Sequence, residues 1–381
     1  MTHDYNIFVS TFNCGKAFPF DDASHAEAVV RSLIPSQMTH DVYALGFQEL
    51  VPIWEGSFPK LVEARLLELS KAVLTRLEAV SHGRGYQLVG SNSVGAVGLL
   101  VYAASDIAAS NVLKAGVKLG MFYSGLKGAA AVKVTFSDKD NQEVYDTFTF
   151  VSAHLAANEG SENLERRIAD YASIVQQLKA DFGQFPDSHT VFFGDFNFRV
   201  NRQEEADIRY TESQVIGRLL ASSEELGANR KAGKIFQEFE EAEVTFPPTY
   251  KYLLSVTESA YSPKRQPSWC DRILYKKYNG SVKVEGYTSV ARTAPLRFTD
   301  HQAVTLSITV PHVAQAARAR SGSITAHQPA RQPVQLWMGN VADTIIGYCC
   351  WINASYGLLG SVVSASVCLW VLYVAVRATL T

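Results

Sequence analysis

Cysteine is scarce in this chain: five in 381 residues, at positions 14, 270, 349, 350 and 368. None is spaced as a CxxC pair, which removes a thiolate metal site or dithiol redox motif and suits a reducing compartment with free thiols. Net charge is also small, −2, whereas a nucleic-acid-binding domain is usually basic, so no nucleic-acid partner is expected. The opening MTHDYNIFVSTFN lacks an apolar run long enough for a secretory signal. No internal repeat is visible. What is present is enough apolar residues, 47%, to fill a large core.

The stretch around which the rest arranges itself is Val191–Arg199, VFFGDFNFR. An unbroken apolar run followed by glycine reads as a short strand covered on both faces. Asp195 and Asn197 follow two positions apart, so on a continuing strand both side chains leave one face. A carboxylate able to orient or deprotonate water, beside an amide able to donate to a phosphoryl oxygen, is a workable hydrolytic pair. Elsewhere alternation predicts strands at Asn6–Phe12, Val42–Phe47, 85–92, 95–103, 130–138, 145–154, 272–277 and 303–310, and 3.6-residue spacing predicts helices at Ala26–Leu33, Leu61–Val80 and Asn163–Leu178. Residues 202–243 read as polar and helical. Met121, Phe122 and Tyr123 read as core packing or, alternatively, as a tip that enters a membrane surface. Cys270 has no adjacent activating histidine and reads as a packed thiol.

Eight segments occur in order: TFNCG (11–15), FQEL (47–50), GLKGA (125–129), SAHLAANE (152–159), FFGDFNFR (192–199), PPTYKY (247–252), PSWCDR (267–272) and FTDHQAV (298–304). With them the chain resembles the inositol polyphosphate 5-phosphatases of the endonuclease/exonuclease/phosphatase superfamily, over roughly its first 300 residues. The resemblance implies a DNase I-like four-layer α/β sandwich and a Mg²⁺-dependent phosphatase. It places Asn13, Glu49 and Asp300 at or beside the metal, a hard cation that prefers oxygen ligands. It makes His154, Asp195, Asn197, Asp271 and His301 catalytic, with Asp271 fixing the His301 imidazole. Lys127, Asn158, Tyr250, Lys251, Lys264 and Arg265 fall on positions that bind substrate phosphates. Two departures stand out: Leu126 occupies a position where the family usually has Asn, and Asn158 one where it commonly has a second His. The substrate expected is the head group of a phosphoinositide, most directly phosphatidylinositol 4,5-bisphosphate. A nuclease or sphingomyelinase of the same superfamily, or an inactive membrane-bound binding module, stay open as alternatives.

The sequence divides into a catalytic domain over 1–311, a linker over 312–343 rich in Ala, Arg, Gln, Ser and Pro, and a hydrophobic tail over 344–381. No residue between Thr344 and Val376 is charged. About 20 apolar residues cross a bilayer, so Tyr356–Val376 is expected to form a C-terminal transmembrane helix. Arg318, Arg320 and Arg331 precede it against Arg377 alone after it, which favours a cytosolic catalytic domain. The expected protein is a monomer, tail-anchored in the endoplasmic reticulum membrane. Its catalytic part should be separable at Pro311, with turnover of a water-soluble head group unaffected by the cut.

Overall fold

The computed structural model describes residues 4–36, 39–138, 145–183, 185–186, 189–201, 208–254, 260–276, 282–311 and 333–380, the side chains of 138, 333, 358–361, 363–365 and 367–380 excepted. Twelve strands lie among the described residues: β1 (Tyr5–Asn13), β2 (Val42–Gln48), β3 (Tyr86–Val94), β4 (Val97–Ala104), β5 (Ile107–Lys118), β6 (Gly128–Asp138), β7 (Tyr145–His154), β8 (His189–Asp195), β9 (Phe239–Glu240), β10 (Asp271–Lys276), β11 (Lys283–Ser289) and β12 (Val304–Val310). They form two six-stranded sheets, ordered β11-β12-β1-β2-β4-β3 and β5-β6-β7-β8-β10-β9. Each sheet is antiparallel except for one central parallel pair, β1 with β2 and β7 with β8.

The strands at the centre carry apolar residues without interruption because both of their faces are covered. Every residue of β2, β4 and β8 is buried. Between the sheets, Tyr5 packs on Phe136 and Phe148, and Phe150 and Phe193 join the same core. The sheets approach so closely at Gly46 that a Cβ there would stand 2.5 Å from the Phe193 ring. Helices α1 (Ala23–Leu33) and α3 (Pro59–Val80) cover the first sheet through Val29, Val30, Leu66 and Leu69. Helix α4 (Ser161–Phe182) covers the second through Ile174, Leu178 and Phe182, which join Val151 and Phe192. The four expected layers are therefore present. Asp22 caps α1 by accepting the His25 amide, satisfying a backbone donor that the first turn leaves unpaired.

Edge strands β5 and β11 lie outside the expected strands. Region 202–243, expected to be helical, contains two short helices, α5 (Ser213–Ser222) and α6 (Glu225–Lys231), with 202–207 outside the described residues. Met121, Phe122 and Tyr123 do not pack into the core: they form an exposed 3₁₀ turn, with Phe122 at 64% exposure.

At the C-terminus, 312–332 of the expected linker lies outside the described residues. Its remainder, 333–343, is helical, the start of α7 (Pro333–Leu380), in which Gly357 (φ 56°) breaks the helical geometry. These first turns lie against the domain, Gln335 on Tyr123 and Asn340 and Asp343 on Lys118. The expected span Tyr356–Val376 falls mostly on side chains outside the described set. Among the described residues, no helix is long and apolar enough to cross a membrane.

Candidate active site

The parallel pairs decide where the chemistry gathers. β1 and β2 run together, so Asn13 lies beside Gln48 and Glu49 follows at the same edge. β7 and β8 do likewise, setting His154 beside Asp195. β10 returns antiparallel and begins at Asp271, directly opposite Asp195. His301 enters from the loop before β12, which pairs with β1. Five strand termini thus deliver polar residues to one end of the sandwich, where side chains can meet without disturbing the core.

Asp195 is the hub. One carboxylate oxygen, Oδ2, accepts from Asn13 Nδ2 at 2.8 Å and lies 3.2 Å from His154 Nε2 and 3.8 Å from His301 Nε2. The other accepts the Asn197 backbone N–H at 3.0 Å, which turns the chain so that Asn197 adopts φ +58°. Burial would raise the pKa of Asp195, but His301, His154 and Lys127 together outweigh it and hold the carboxylate ionised, well below the usual range. Its neighbour Gly194 is obligatory, because a Cβ there would stand 1.9 Å from the Ala153 carbonyl oxygen.

On one flank, His301 Nδ1 is 2.9 Å from Asp271 Oδ2, and Thr249 Oγ1 donates to the same oxygen at 2.7 Å. Burial opposes the charged imidazole, yet Asp271 and Asp195 raise its pKa to about 9, so it is a cation at neutral pH. Arg292 fixes this loop by donating to the Thr299 and His301 carbonyls at 2.7 and 2.6 Å. The Tyr250 ring packs on His301 at 4.6 Å between centroids.

On the other flank, Lys127 Nζ lies against His154 Nε2. Burial lowers the pKa of His154 and the ammonium lowers it further, so this imidazole is neutral. Glu49 faces the same group. Burial alone would raise its pKa, but His154, Lys127 and Lys16 reverse the sign and keep it ionised. Glu49 has φ +46° and is paired with Lys16 at 3.3 Å. A non-glycine residue in the left-handed region, its carboxylate at the mouth of a cavity, is where strain serves a site. That cavity, about 280 Å³, is lined by Lys16, Glu49, Leu126, Lys127, His154 and, from α7, Asp343.

The oxygen donors at this end suit a hard divalent cation. Glu49 is ionised and partly open to solvent, and Asn13 ends the neighbouring strand, its Oδ1 accepting the Gly15 N–H at 3.0 Å. Among the described residues, Asp195, Asp271 and His301 also form a metal-capable group, with ligand atoms within 4.8 Å of one another. The Asp300 carboxylate is 2.7 Å from Lys251 Nζ.

A second cavity, about 610 Å³, lies beside the cluster and includes Arg199, Tyr210, Tyr261, Lys264 and Arg265 in its walls. Arg199 joins the two regions. It is buried, donates to Asn197 Oδ1 and lies 4.6 Å over the Tyr250 ring. Its Nε and Nη1 have no hydrogen-bond partner among the described residues. Arg265 reaches Glu159 at 3.4 Å. Of the expected substrate-binding residues, Lys264 and Arg265 line this cavity, Lys127 the first, and Tyr250 and Lys251 the wall near His301. Asn158 is exposed at φ +74° and meets Arg167 through its carbonyl. Cys270 is buried, with its thiol pKa raised by burial, as a packed thiol should be.

The motifs did not point to Lys16, Thr249, Arg292 or Asp343. Lys16 follows TFNCG directly and Thr249 lies inside PPTYKY, so both could have been noticed there. Arg292 and Asp343 carry no local signal, because only tertiary packing brings them in.

Comparison with known proteins agrees with this geometry. The model of the endonuclease/exonuclease/phosphatase family 2 matches residues 10–307. The inositol-1,4,5-trisphosphate 5-phosphatase 1 of Schizosaccharomyces pombe is 30% identical over 69% of this chain and 24% of its own length. The type IV inositol polyphosphate 5-phosphatase 9 of Arabidopsis thaliana is 27% identical over 79% of this chain and 76% of its own. The chain thus spans about a quarter of the first of these relatives. A crystal structure of the inositol polyphosphate 5-phosphatase domain of a synaptojanin, in complex with inositol (1,4)-bisphosphate and calcium ion, superposes with a TM-score of 0.65 at 25% identity, covering 90% of this chain and 92% of that one. The chain belongs to the endonuclease/exonuclease/phosphatase family, and its relatives there are inositol polyphosphate 5-phosphatases.

Proposed function

We propose that this chain hydrolyses the 5-phosphate of an inositol phosphate head group, with phosphatidylinositol 4,5-bisphosphate as its lipid substrate and Mg²⁺ as its cofactor. The observation that carries the reading is a buried, ionised Asp195 held between a neutral His154 and a charged His301, next to a basic cavity large enough for a phosphorylated ring.

Asp195 is suited to orient a water molecule and accept its proton as it attacks phosphorus. Asn197 and His154 offer donors to the equatorial oxygens, and Lys127 adds a positive charge on the same side. The imidazolium of His301, kept protonated by Asp271, offsets negative charge as the phosphorus–oxygen bond to the inositol breaks. A divalent ion held by Glu49 and Asn13 would neutralise charge on the phosphoryl group. Lys251, Lys264 and Arg265, with Tyr250, suit the phosphate that neighbours the one removed. The names of the relatives support the same substrate class, and one chain supplies every residue of this site.

We further read the uncharged tail over 344–376 as a membrane anchor of the endoplasmic reticulum, with the domain on the cytosolic side. What supports it is the apolar composition together with the arginines before the tail. Phosphate release by the full-length protein from phosphoinositides, soluble inositol phosphates, sphingomyelin and nicked DNA, with Mg²⁺ and in chelator, tests the activity. Release confined to 5-phosphorylated inositides and abolished by chelator is expected. Undiminished release in chelator would overturn the metal assignment, and cleavage of sphingomyelin or DNA instead would overturn the substrate class. Protease protection of the full-length protein in vesicles tests the topology, since a shielded catalytic domain contradicts it.

A further inference from the structure

The tail helix does more than leave the domain. Asp343 is buried at 8% exposure, and its two carboxylate oxygens do separate things: Oδ2 pairs with Lys118 Nζ at 2.6 Å, and Oδ1 accepts the Gly125 backbone N–H at 2.7 Å. Lys118 ends β5, and Gly125 stands three residues before β6 begins at Gly128. One side chain therefore holds both stems of the loop that presents Lys127 to His154.

The rest of the same helix face repeats the contact. Asn340 Oδ1 accepts from Lys118 at 2.9 Å, and Gln335 Nε2 donates to the Tyr123 hydroxyl at 3.2 Å. At Gly339 the backbones are so close that a Cβ would stand 2.3 Å from the Tyr123 carbonyl oxygen, and at Gly347 one would meet Ser57 and Phe58 at 2.8 Å. Positions 335, 339, 340, 343 and 347 share one face at helical spacing, so the contact is a stripe with glycines where the domain comes closest, main chain at Gly339 and the Ser57 and Phe58 side chains at Gly347. Gly125 is also pressed from the other side, its carbonyl oxygen lying where a Cβ on Gly95 would be. A loop held from two sides has little freedom, and Lys127 lies two residues further along it. The Asp343 carboxylate also lines the cavity that contains Glu49, Lys127 and His154.

We propose that Asp343 is a positioning residue for this reaction: the C-terminal helix, through Asp343, sets the loop that aims Lys127 at the phosphoryl group, so the tail is a working part of the active site. The role of Lys127 rests on the function proposed above; the holding of the loop does not. Two measurements on the full-length protein separate them.

The first is amide hydrogen exchange of Asp343→Ala against the parent. Faster exchange confined to the segment around Gly125–Gly128, with the central strands as protected as before, is expected. Unchanged exchange there overturns the proposal whatever the enzyme does. The second is turnover of soluble inositol 1,4,5-trisphosphate, which needs no membrane access. Asp343→Ala should lower kcat by about tenfold with KM within about a factor of two, the scale of a modest misplacement of a catalytic group. Asp343→Asn keeps an acceptor for Gly125 and loses the ion pair, so it should recover part of the loss. In a Lys127→Met background, Asp343→Ala should cost nothing further, because the two act through one group. Independent, multiplying losses would mean Asp343 supports the fold in general, and overturn the proposal. If the parent releases no phosphate while exchange responds as expected, the function reading fails and the clamp stands.

Discussion

Two flanks of one carboxylate carry the same residue type in opposite states. On one side of Asp195, His301 meets Asp271 at 2.9 Å and holds its proton to about pH 9. On the other, His154 meets the ammonium of Lys127 and is neutral. Both imidazoles are buried, and burial alone would discharge both. The difference is the sign of the second neighbour, a carboxylate on β10 or a lysine on the β5–β6 loop. Under the proposed function the two histidines would do different work, one as a fixed cation and one as a neutral donor.

The strongest test of this contrast removes its centre. Asp195→Asn keeps the shape and the hydrogen bonds of one oxygen but not the charge, and kcat should fall by ~10²-fold or more, with His301→Ala comparable. Near-normal turnover in either folded variant, measured by phosphate release, would break the comparison at that residue. Asp271→Asn comes next. It leaves the ring beside an amide that cannot favour the cation, so kcat should drop by about 10- to 100-fold, and the His301 ring resonances followed by NMR should titrate at lower pH than in the parent. Lys127→Met on the opposite flank should lower kcat by about tenfold and shift His154 the other way, toward easier protonation; shifts of the same sign on both flanks would contradict the account. Weaker still is the specificity effect. Lys251→Met with Arg265→Met should cost about tenfold more on a 4,5-bisphosphate than on a substrate lacking the 4-phosphate, the loss of a charge-assisted hydrogen bond. Equal losses on both would make that wall structural.

A third buried histidine supplies the control, with no effect on turnover expected at neutral pH. His40, far along the first sheet and 2.6 Å from Ser307 Oγ, has its pKa pushed down to about 4 by burial. The folded state therefore binds fewer protons than the unfolded state, whose histidine titrates near its ordinary 6.5, and stability falls as pH drops from 6.5 toward 4. Denaturant melts should show His40→Gln flattening that fall by ~1–3 kcal/mol. An unaltered pH profile would mean that His40 is not neutral in the fold.

Much of the frame is legible in the sequence because central strands are buried on both faces and so carry apolar runs that stand out, as at β2, β4 and β8. Strands β5 and β11 do not stand out. They lie at sheet edges, expose Asn111, Val112, Leu113 and Glu285, and contain bulges between Ser110 and Leu113 and between Val284 and Gly286, so neither alternation nor burial marks them. The catalytic cluster was legible for a related reason: Asn13, Glu49, His154, Asp195 and Asp271 sit at strand ends, where short motifs and position coincide. The motif places Asp300 beside the metal but gives no sign of its 2.7 Å ion pair with Lys251, because that cation is brought from elsewhere in the chain. Composition divides the tail from the domain at Pro311, since it reports polarity and says nothing of docking. Asp343 and Gly339 acquire meaning only against Lys118, Gly125 and Tyr123, more than 200 residues earlier.

Gly194 has a consequence for how such a protein can change. Any side chain there would be driven into the Ala153 carbonyl, so the spacing of His154 and Asp195 is tied to the hydrogen-bonded seam between β7 and β8. Drift in the distance between those two groups would require the seam itself to open, at the cost of the whole sheet's cooperativity. Divergence is therefore channelled to the parts hung from the strand ends: the loop of Lys127, the wall of Tyr250 and Lys251, and the cavity of Lys264 and Arg265. Changes in those parts can alter what the cavities accept while the distance between His154 and Asp195 stays fixed.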